Sequence, residues 1–304
     1  MHVFGGIEAG GTKFVCGIGT RPEDLEIAQF ATASPAATIQ TVVNFFRKHA
    51  GERLQAVGIA SFGPVDLHPG SPTYGYITST PKLEWRNFDI VGEIRKTLDL
   101  PVGFDTDVNA AALAEMRWGA AQGLSDSLYL TVGTGIGGGA IVHGHVLHGM
   151  LHPEMGHIRV PHDLVRDSFP GCCPYHGDCL EGLASGPAME ARWGAKAQEL
   201  PADHAAWALE AHYLALALAT WVCTLSPKRV LLGGGVMQQT RLFELIRKEL
   251  ARLLNGYIRT AEVTDGLDCF VSPPLLGQRA GVLGALVLAE RAFLLKLQQQ
   301  YGSS

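Results

Sequence analysis

Short apolar runs closed by glycine open the chain. His2 to Glu8 is one such run, Ala9-Gly10-Gly11-Thr12 interrupts it, and Lys13 to Gly17 is a second. Two apolar stretches joined by a glycine turn predict a β-hairpin with a glycine-rich tip. A third strand is expected from Glu26 to Phe30. From Thr38 to Lys48 the period changes to that of a helix, with Ile39, Val42, Val43 and Phe46 on one face. Gln55 to Phe62 reads as a buried strand that stops at Gly63-Pro64. The stretch from Val65 to Trp85, dense in Pro, Gly, Ser and Thr, is expected to be a long loop, and loops of that length inside a compact domain are usually functional. A helix from Asp89 to Leu98, a strand from Pro101 to Asp105 and a helix from Val108 to Trp118 follow.

The second half repeats the opening. Ser127 to Val132 is a strand, Gly133 to Gly139 reads GTGIGGG, and the apolar AIVHG comes next. The string satisfies the dinucleotide pattern G-x-G-x-x-G, but a strand rather than a helix follows it, so the context fails. It reads as a second glycine-tipped hairpin, which suggests a duplicated fold. Ser185-Gly186-Pro187 opens a helical region, and Asp203 to Leu225 is a long helix. Its most apolar part, Tyr213 to Leu225, is too short to span a bilayer and reads as buried core. Lys228 to Leu232 is a strand ending in Gly233-Gly234-Gly235, with a helix expected directly after, from Gln238 to Leu254. A last strand (Cys269 to Val271) and a closing helix (Gly281 to Leu297) precede a tail, QQQYGSS, expected to fray.

Composition narrows the class. A chain of 304 residues is comfortable for two domains, and 47% hydrophobic with 17% charged residues describes an ordinary globular protein. A net charge of -5 argues against nucleic acid as the main partner. No targeting or membrane segment is visible, and Cys16, Cys223 and Cys269 sit among apolar neighbours as if buried in a reducing compartment. A cytoplasmic location is expected.

Three stretches carry chemistry. The first hairpin tip, with Thr12 and Lys13 beside Gly10 and Gly11, can cradle a phosphate or can be a plain turn. Asp107 lies where a strand ends and a helix begins, a place where ligands gather in α/β sheets; on the residues alone it reads first as an N-cap. The third stretch, Pro153 to Gly182, is PEMGHIRVPHDLVRDSFPGCCPYHGDCLEG. It has little apolar surface to offset its ordering entropy. His157 together with a Cys-x-x-His-x-x-Cys spacing offers the four tetrahedral ligands of a structural zinc site, with Cys172 and Cys173 competing for one place. Glu154 and Glu181 flank it.

Together EAGGTK, GTGIGGG, the EMGH run and the knuckle ending in CLEG resemble the ROK sugar kinases. SFGPVDL, TYGYITSTPKLEW and CPYHGDCLEGLASGPA are similar to the bacterial fructokinase branch of that family. The resemblance covers nearly the whole chain. It implies an α/β, two-domain actin/hexokinase-like (ribonuclease H-like) ATPase fold with a zinc-knuckle loop. The domains would be a small one at residues 1–112, joined by the C-terminal helix at about 285–304, and a larger one at 113–284. It implies Asp107 as the base for the attacking sugar hydroxyl, and sugar contacts from Gly63, Thr80, Glu154, His157 and Glu181. Gly10, Gly11, Thr12, Lys13, Thr134 and Gly135 would hold ATP phosphates, with Gly233, Gly234 and Gly235 beside the adenosine. His157, Cys173, His176 and Cys179 would hold zinc, leaving Cys172 outside. Mg-ATP and structural zinc are the implied cofactors, fructose and ATP the partners, without nucleic acid or membrane, and the assembly a homodimer. The chain departs from the family where Thr106 replaces an Asn, where Glu8 replaces an Asp yet can reach magnesium through water, and where His176 replaces a Cys.

Other classes fit less well. A sugar-responsive repressor of the family would need a helix-turn-helix ahead of the first strand, for which His2 leaves no room. A zinc-knuckle nucleic-acid binder would want basic and aromatic residues around the ligands, where Asp178 and Glu181 stand instead. A broader hexose or amino-sugar kinase is the nearest alternative.

Overall fold

The computed structural model describes residues 2–80 and 82–301; Gly302 to Ser304 of the expected frayed tail lie outside them. The chain parts into two compact units. One comprises residues 1–118, 148–152 and 276–304, the other 119–147 and 153–275. The boundary expected at residue 112 falls inside a helix that belongs whole to the first unit.

In the first unit β1 (Val3–Ala9) and β2 (Lys13–Gly19) form the expected hairpin, and β3 (Glu26–Ala31) extends it antiparallel. Helix α1 (Pro35–His49) follows, its first turn set by Pro35 behind Ser34. β4 (Leu54–Ser61) pairs parallel with β1. The expected loop from Val65 to Trp85 is better ordered than its composition suggests. It contains β5 (Tyr76–Ile77), which pairs with β6 (Phe88–Asp89), and it is pinned by Trp85, fully buried and donating its indole N–H to the Ala33 carbonyl at 3.0 Å. α2 (Ile90–Leu98) is capped by Asp89, which accepts from the Gly92 N–H. β7 (Val102–Thr106) runs parallel to β4 and passes directly into α3 (Asp107–Trp118). The sheet order is β3-β2-β1-β4-β7.

The second unit repeats this pattern. β8 (Ser127–Val132) and β9 (Ile136–Val142) form a hairpin, β10 (His145–Val146) extends it antiparallel, and β11 (Val230–Gly233) and β12 (Val271–Ser272) add parallel strands on the other side of β8. The order β10-β9-β8-β11-β12 matches the first sheet position for position. The duplication legible in two glycine-tipped hairpins is thus a duplication of whole sheets. The helices here are α4 (Leu180–Ala184), α5 (Gly186–Trp193), α6 (Ala206–Leu225), α7 (Arg241–Leu254), α8 (Ala261–Thr264) and α9 (Leu267–Phe270). The final helix, α10 (Ala280–Tyr301), returns to the first unit. Every residue from Ala280 to Ala289 is buried, because the helix lies on β1, β4 and β7 and against α3.

Five further expectations need correcting. The second glycine tip is only Gly133-Thr134-Gly135; the later glycines lie inside β9. A 3-10 turn (Val236–Gln238) separates Gly235 from α7, so no α-helix starts directly on those glycines. α6 spans 20 residues and is long and apolar enough to cross a membrane, so length does not exclude a span. What marks it as core is packing: Trp207, Tyr213, Leu214 and Leu218 are buried in the second unit, where α6 lies on α7 and α4. Finally, Cys223 and Cys269 are exposed and only Cys16 of those three is buried. Cys223 lies on the outer side of α6, and the expected strand from Cys269 to Val271 is mostly the short α9, with β12 starting only at Val271.

Candidate functional site

In the first unit the hairpin tip is fixed by the Gly10 N–H donating to the Lys13 carbonyl at 3.0 Å and by Thr32 Oγ1 donating to the Gly10 carbonyl at 2.8 Å. A Cβ on Gly10 would lie 2.6 Å from the Lys13 carbonyl oxygen, whereas one on Gly11 would meet only the flexible Lys82 side chain, at 3.2 Å. Thr12 and Lys13 are exposed beside the tip. Glu8, at the end of β1, is largely buried. Burial, and then the field of Asp107, push its carboxyl up to about 7, opposed by Lys13 and by a hydrogen bond from the Val282 N–H. Glu8 Oε2 has no hydrogen-bond partner among the described residues. A buried carboxylate oxygen without a hydrogen-bond partner, in the field of a second carboxylate, suits a divalent cation, so Glu8 fits a magnesium site.

Asp107 is the first residue of α3, and its Oδ1 accepts from the adjacent Val108 N–H at 2.9 Å. The cap bond is made by its neighbour: Thr106 Oγ1 accepts from the Asn109 N–H at 3.1 Å. Capping is therefore the work of the Thr106 hydroxyl. Sequence reasoning missed Asp105. Its buried carboxylate accepts from the Thr106 N–H (2.8 Å), from Asn109 Nδ2 (2.7 Å) and from His148 Nε2 (3.0 Å). An Asp two residues before the candidate base, at a strand end, was the available signal. On the same side of the sheet, β4 runs out into Gly63. Thr80 is fully buried, its carbonyl accepting from the Arg86 guanidinium at 3.2 Å.

In the second unit the EMGH run forms a 3-10 turn (Met155–His157) lying flat on β9. Two glycines permit this: a Cβ on Gly156 would lie 1.9 Å from the Ile136 carbonyl oxygen, and one on Gly138 2.4 Å from Met155 Sδ. Gly138, within β9, thus serves close packing against the turn. Glu154, at the head of the turn, is exposed. His157 turns Nδ1 toward Cys173 Sγ (3.8 Å) and Cys179 Sγ (3.6 Å), and Nε2 toward Glu181 Oε1 at 3.9 Å. His176 Nδ1 lies 3.7 Å from Cys173 Sγ. The four ligand atoms of His157, Cys173, His176 and Cys179 all lie within 4.8 Å of one another. A tetrahedron with zinc's usual bond lengths has N–S edges of about 3.5 Å, so the set fits that ion. Burial pushes the Cys179 thiol up, opposing ionisation unless a cation is bound.

Glu181 has a second task. Its Oε2 accepts from the Ile136 N–H at 2.9 Å, and a Cβ on Gly135 would lie 2.7 Å from that oxygen. One carboxylate thus joins the knuckle, His157 and the glycine tip. The Gly186 N–H donates to the Gly133 carbonyl at 2.7 Å, holding the tip from the other side. Behind the knuckle, buried Asp167 accepts from Tyr213 Oη (2.6 Å) and Arg192 Nε (3.1 Å), while His162 lies 3.4 Å from knuckle Asp178. Gly234, with φ of +97° and no room for a Cβ against the Val132 carbonyl, turns the chain after β11.

With this geometry in place, similarity decides the family. The ROK family matches residues 4–292. The chain belongs to the ROK family. Its paired sheets are that family's two-domain actin/hexokinase-like fold. The chain is 44% identical over 292 residues to a fructokinase of Lactococcus lactis subsp. cremoris, covering 95% of this chain and 98% of that one. It is 44% identical over 294 residues to a fructokinase of Zymomonas mobilis subsp. mobilis (strain ATCC 31821 / ZM4 / CP4), covering 94% and 96%. Among solved structures, the ROK hexokinase of Thermus thermophilus superposes with a TM-score of 0.78 at 29% identity, covering 98% of this ROK chain and 99% of that one.

Proposed function

We propose that this ROK protein is a fructokinase, transferring the terminal phosphoryl group of ATP to the 6-hydroxyl of fructose. The observation that carries the reading is the double use of His157. One ring nitrogen faces the Cys/His cluster while the other faces Glu181, so the group that locks the knuckle also orients a sugar-facing imidazole. The names of the relatives supply the sugar.

Asp107 takes the proton as the hydroxyl oxygen bonds to phosphorus and the bond to the ADP oxygen breaks. Glu154, His157 and Glu181 are the groups we assign to holding the sugar ring, and Gly63 and Thr80 are assigned further sugar contacts. The first tip, Gly10 to Lys13, and Thr134-Gly135 bind phosphates, and Gly233 to Gly235 lie beside the adenosine. Glu8 would hold magnesium, which would neutralise phosphate charge. Zinc on His157, Cys173, His176 and Cys179 supplies structure, since four protein ligands leave no open position. Exposed, unpaired Cys223 and Cys269 suit a reducing cytoplasm.

Steady-state kinetics on fructose, mannose, glucose, glucosamine and N-acetylmannosamine test the substrate. Fructose should have the highest kcat/KM, because a sugar that leaves buried groups unpaired can be rejected by up to about four orders of magnitude. Glucose or an amino sugar outperforming fructose would overturn the choice of sugar and leave the kinase.

The phosphate clamp makes a separate prediction. At Gly11 a Cβ asks only the flexible Lys82 side chain to give way, so the expected result of Gly11→Val is a raised KM for ATP with the sugar KM unchanged and the melting temperature little changed. A change confined to sugar affinity would contradict the assignment.

A further inference from the structure

The segment from His148 to His152 interrupts the second unit and belongs to the first. It is short and outwardly apolar, with Met150 90% and Leu151 57% exposed, so hydrophobic burial does not hold it there. Its two ends are held by histidines. His148 Nε2 lies 3.0 Å from Asp105 Oδ2 and 3.3 Å from Oδ1, at the end of β7. Buried His152 accepts the Val65 N–H through Nε2 at 3.5 Å, and its ring lies 3.7 Å from where a Cβ on Gly63 would stand, just beyond β4. Between them the Gly149 N–H donates to the Leu151 carbonyl at 3.0 Å, closing a tight turn.

The two moorings fall on the two strand ends that matter. Asp105 also accepts from the Thr106 N–H and from Asn109 Nδ2, and Thr106 caps α3. Asp107 therefore sits between residues whose places are set by a buried carboxylate, and His148 supplies that carboxylate with a charge-assisted partner. Fully buried Asn109 donates to Asp105 Oδ1, while the closest approach of His148 is to Oδ2. Glu154 is the next residue but one after His152 in the chain.

We propose that His148 and His152 are positioning residues for phosphoryl transfer: they moor the 148–152 segment to β7 and β4, and His148, through Asp105, fixes the stem that presents Asp107. The inference rests on the kinase reading for its kinetic arm, while a protease arm tests the mooring by itself.

His148→Leu removes the donor and His148→Gln retains one. His148→Leu should lower kcat on fructose by about one to two orders of magnitude, as expected for an ångström-scale misplacement, with the KM for ATP unchanged. His148→Gln should restore most of the loss. Asp105→Asn should reproduce the slow turnover, and the double variant should be no slower than the worse single one, because both remove one interaction. In the protease arm, thermolysin should cut between Met150 and Leu151 faster in His148→Leu and His152→Leu than in the wild type. Wild-type turnover in His148→Leu, equal loss in His148→Gln, additive losses in the double variant, or unchanged cleavage would each overturn the proposal. If His148→Leu does not fold, His148→Gln against Asp105→Asn decides it by the same kinetic comparison. Wild-type protein inert on every sugar would fail the kinase reading, and cleavage rates would still decide the mooring.

Discussion

Asp107→Asn is expected to lower turnover by about two to four orders of magnitude, the usual loss when a positioned general base cannot accept a proton. The substitution keeps shape and volume, and the α3 cap bond is made by Thr106 Oγ1 to the Asn109 N–H, so the helix should stand. Melting temperature and calorimetric ATP binding are therefore expected to match the wild type while kcat collapses. A second readout follows from Glu8. Its carboxyl is raised from 4.5 to about 7 by burial and then by Asp107. A carboxyl raised on folding contributes stability that is fully present below the unfolded value and lost as pH rises through the folded one. The metal-free wild type should thus lose stability between about pH 4.5 and 7, and Asp107→Asn should soften that loss by removing the like charge. Normal turnover in Asp107→Asn would leave the residue as nothing more than the first residue of a helix.

Much of this arrangement is legible in the amino-acid string, for identifiable reasons. The hairpin tips stand out because glycine flanked by apolar runs has few other meanings, and the knuckle because Cys173, His176 and Cys179 are spaced closely enough for one loop to bring their side chains together. What escaped reading depends on contacts between distant residues. The GGG of β9 reads as turn because glycine weakens strands; at Gly138 the cause is Met155, some seventeen residues later, whose Sδ would lie 2.4 Å from a Cβ there. Cys223 sits among apolar neighbours yet faces outward, since a helix as apolar as α6 gives little periodicity to tell its faces apart. The loop before Trp85 looks unstructured because the indole's partner is the carbonyl of Ala33, far upstream. Thr106 as cap and Asp105 as hub are side-chain choices at one strand end, where Asp, Thr and Asp in succession offer several assignments and only geometry selects among them.

Removing one of the four proposed zinc ligands is expected to unfasten the knuckle. The stretch between Glu154 and Glu181 has few buried apolar residues; Asp167, bonded to Tyr213 and Arg192, anchors its middle, while at its tip Cys173 and Gly177 exchange backbone hydrogen bonds of 3.1 and 2.9 Å that cannot hold the knuckle alone. Structural zinc contributes roughly 10 kcal/mol or more in such settings, comparable with the whole stability of a domain. Cys173→Ser should therefore abolish bound zinc, lower the melting temperature and remove activity on sugar, because His157 and Glu181 lose their common support. Cys172→Ser should do none of this: Cys172 is exposed and stands outside the four converging side chains, tied to the fold through its backbone N–H on the Gly182 carbonyl at 3.0 Å. Metal analysis of the purified wild type should find about one zinc per chain, as one closed tetrahedral site requires. A chelator strong enough to strip it should reproduce the Cys173→Ser phenotype, and restored zinc should reverse the chelated state but not the variant. If Cys172→Ser loses the metal while Cys173→Ser keeps it, the two neighbouring thiols have exchanged roles and the ligand set must be redrawn.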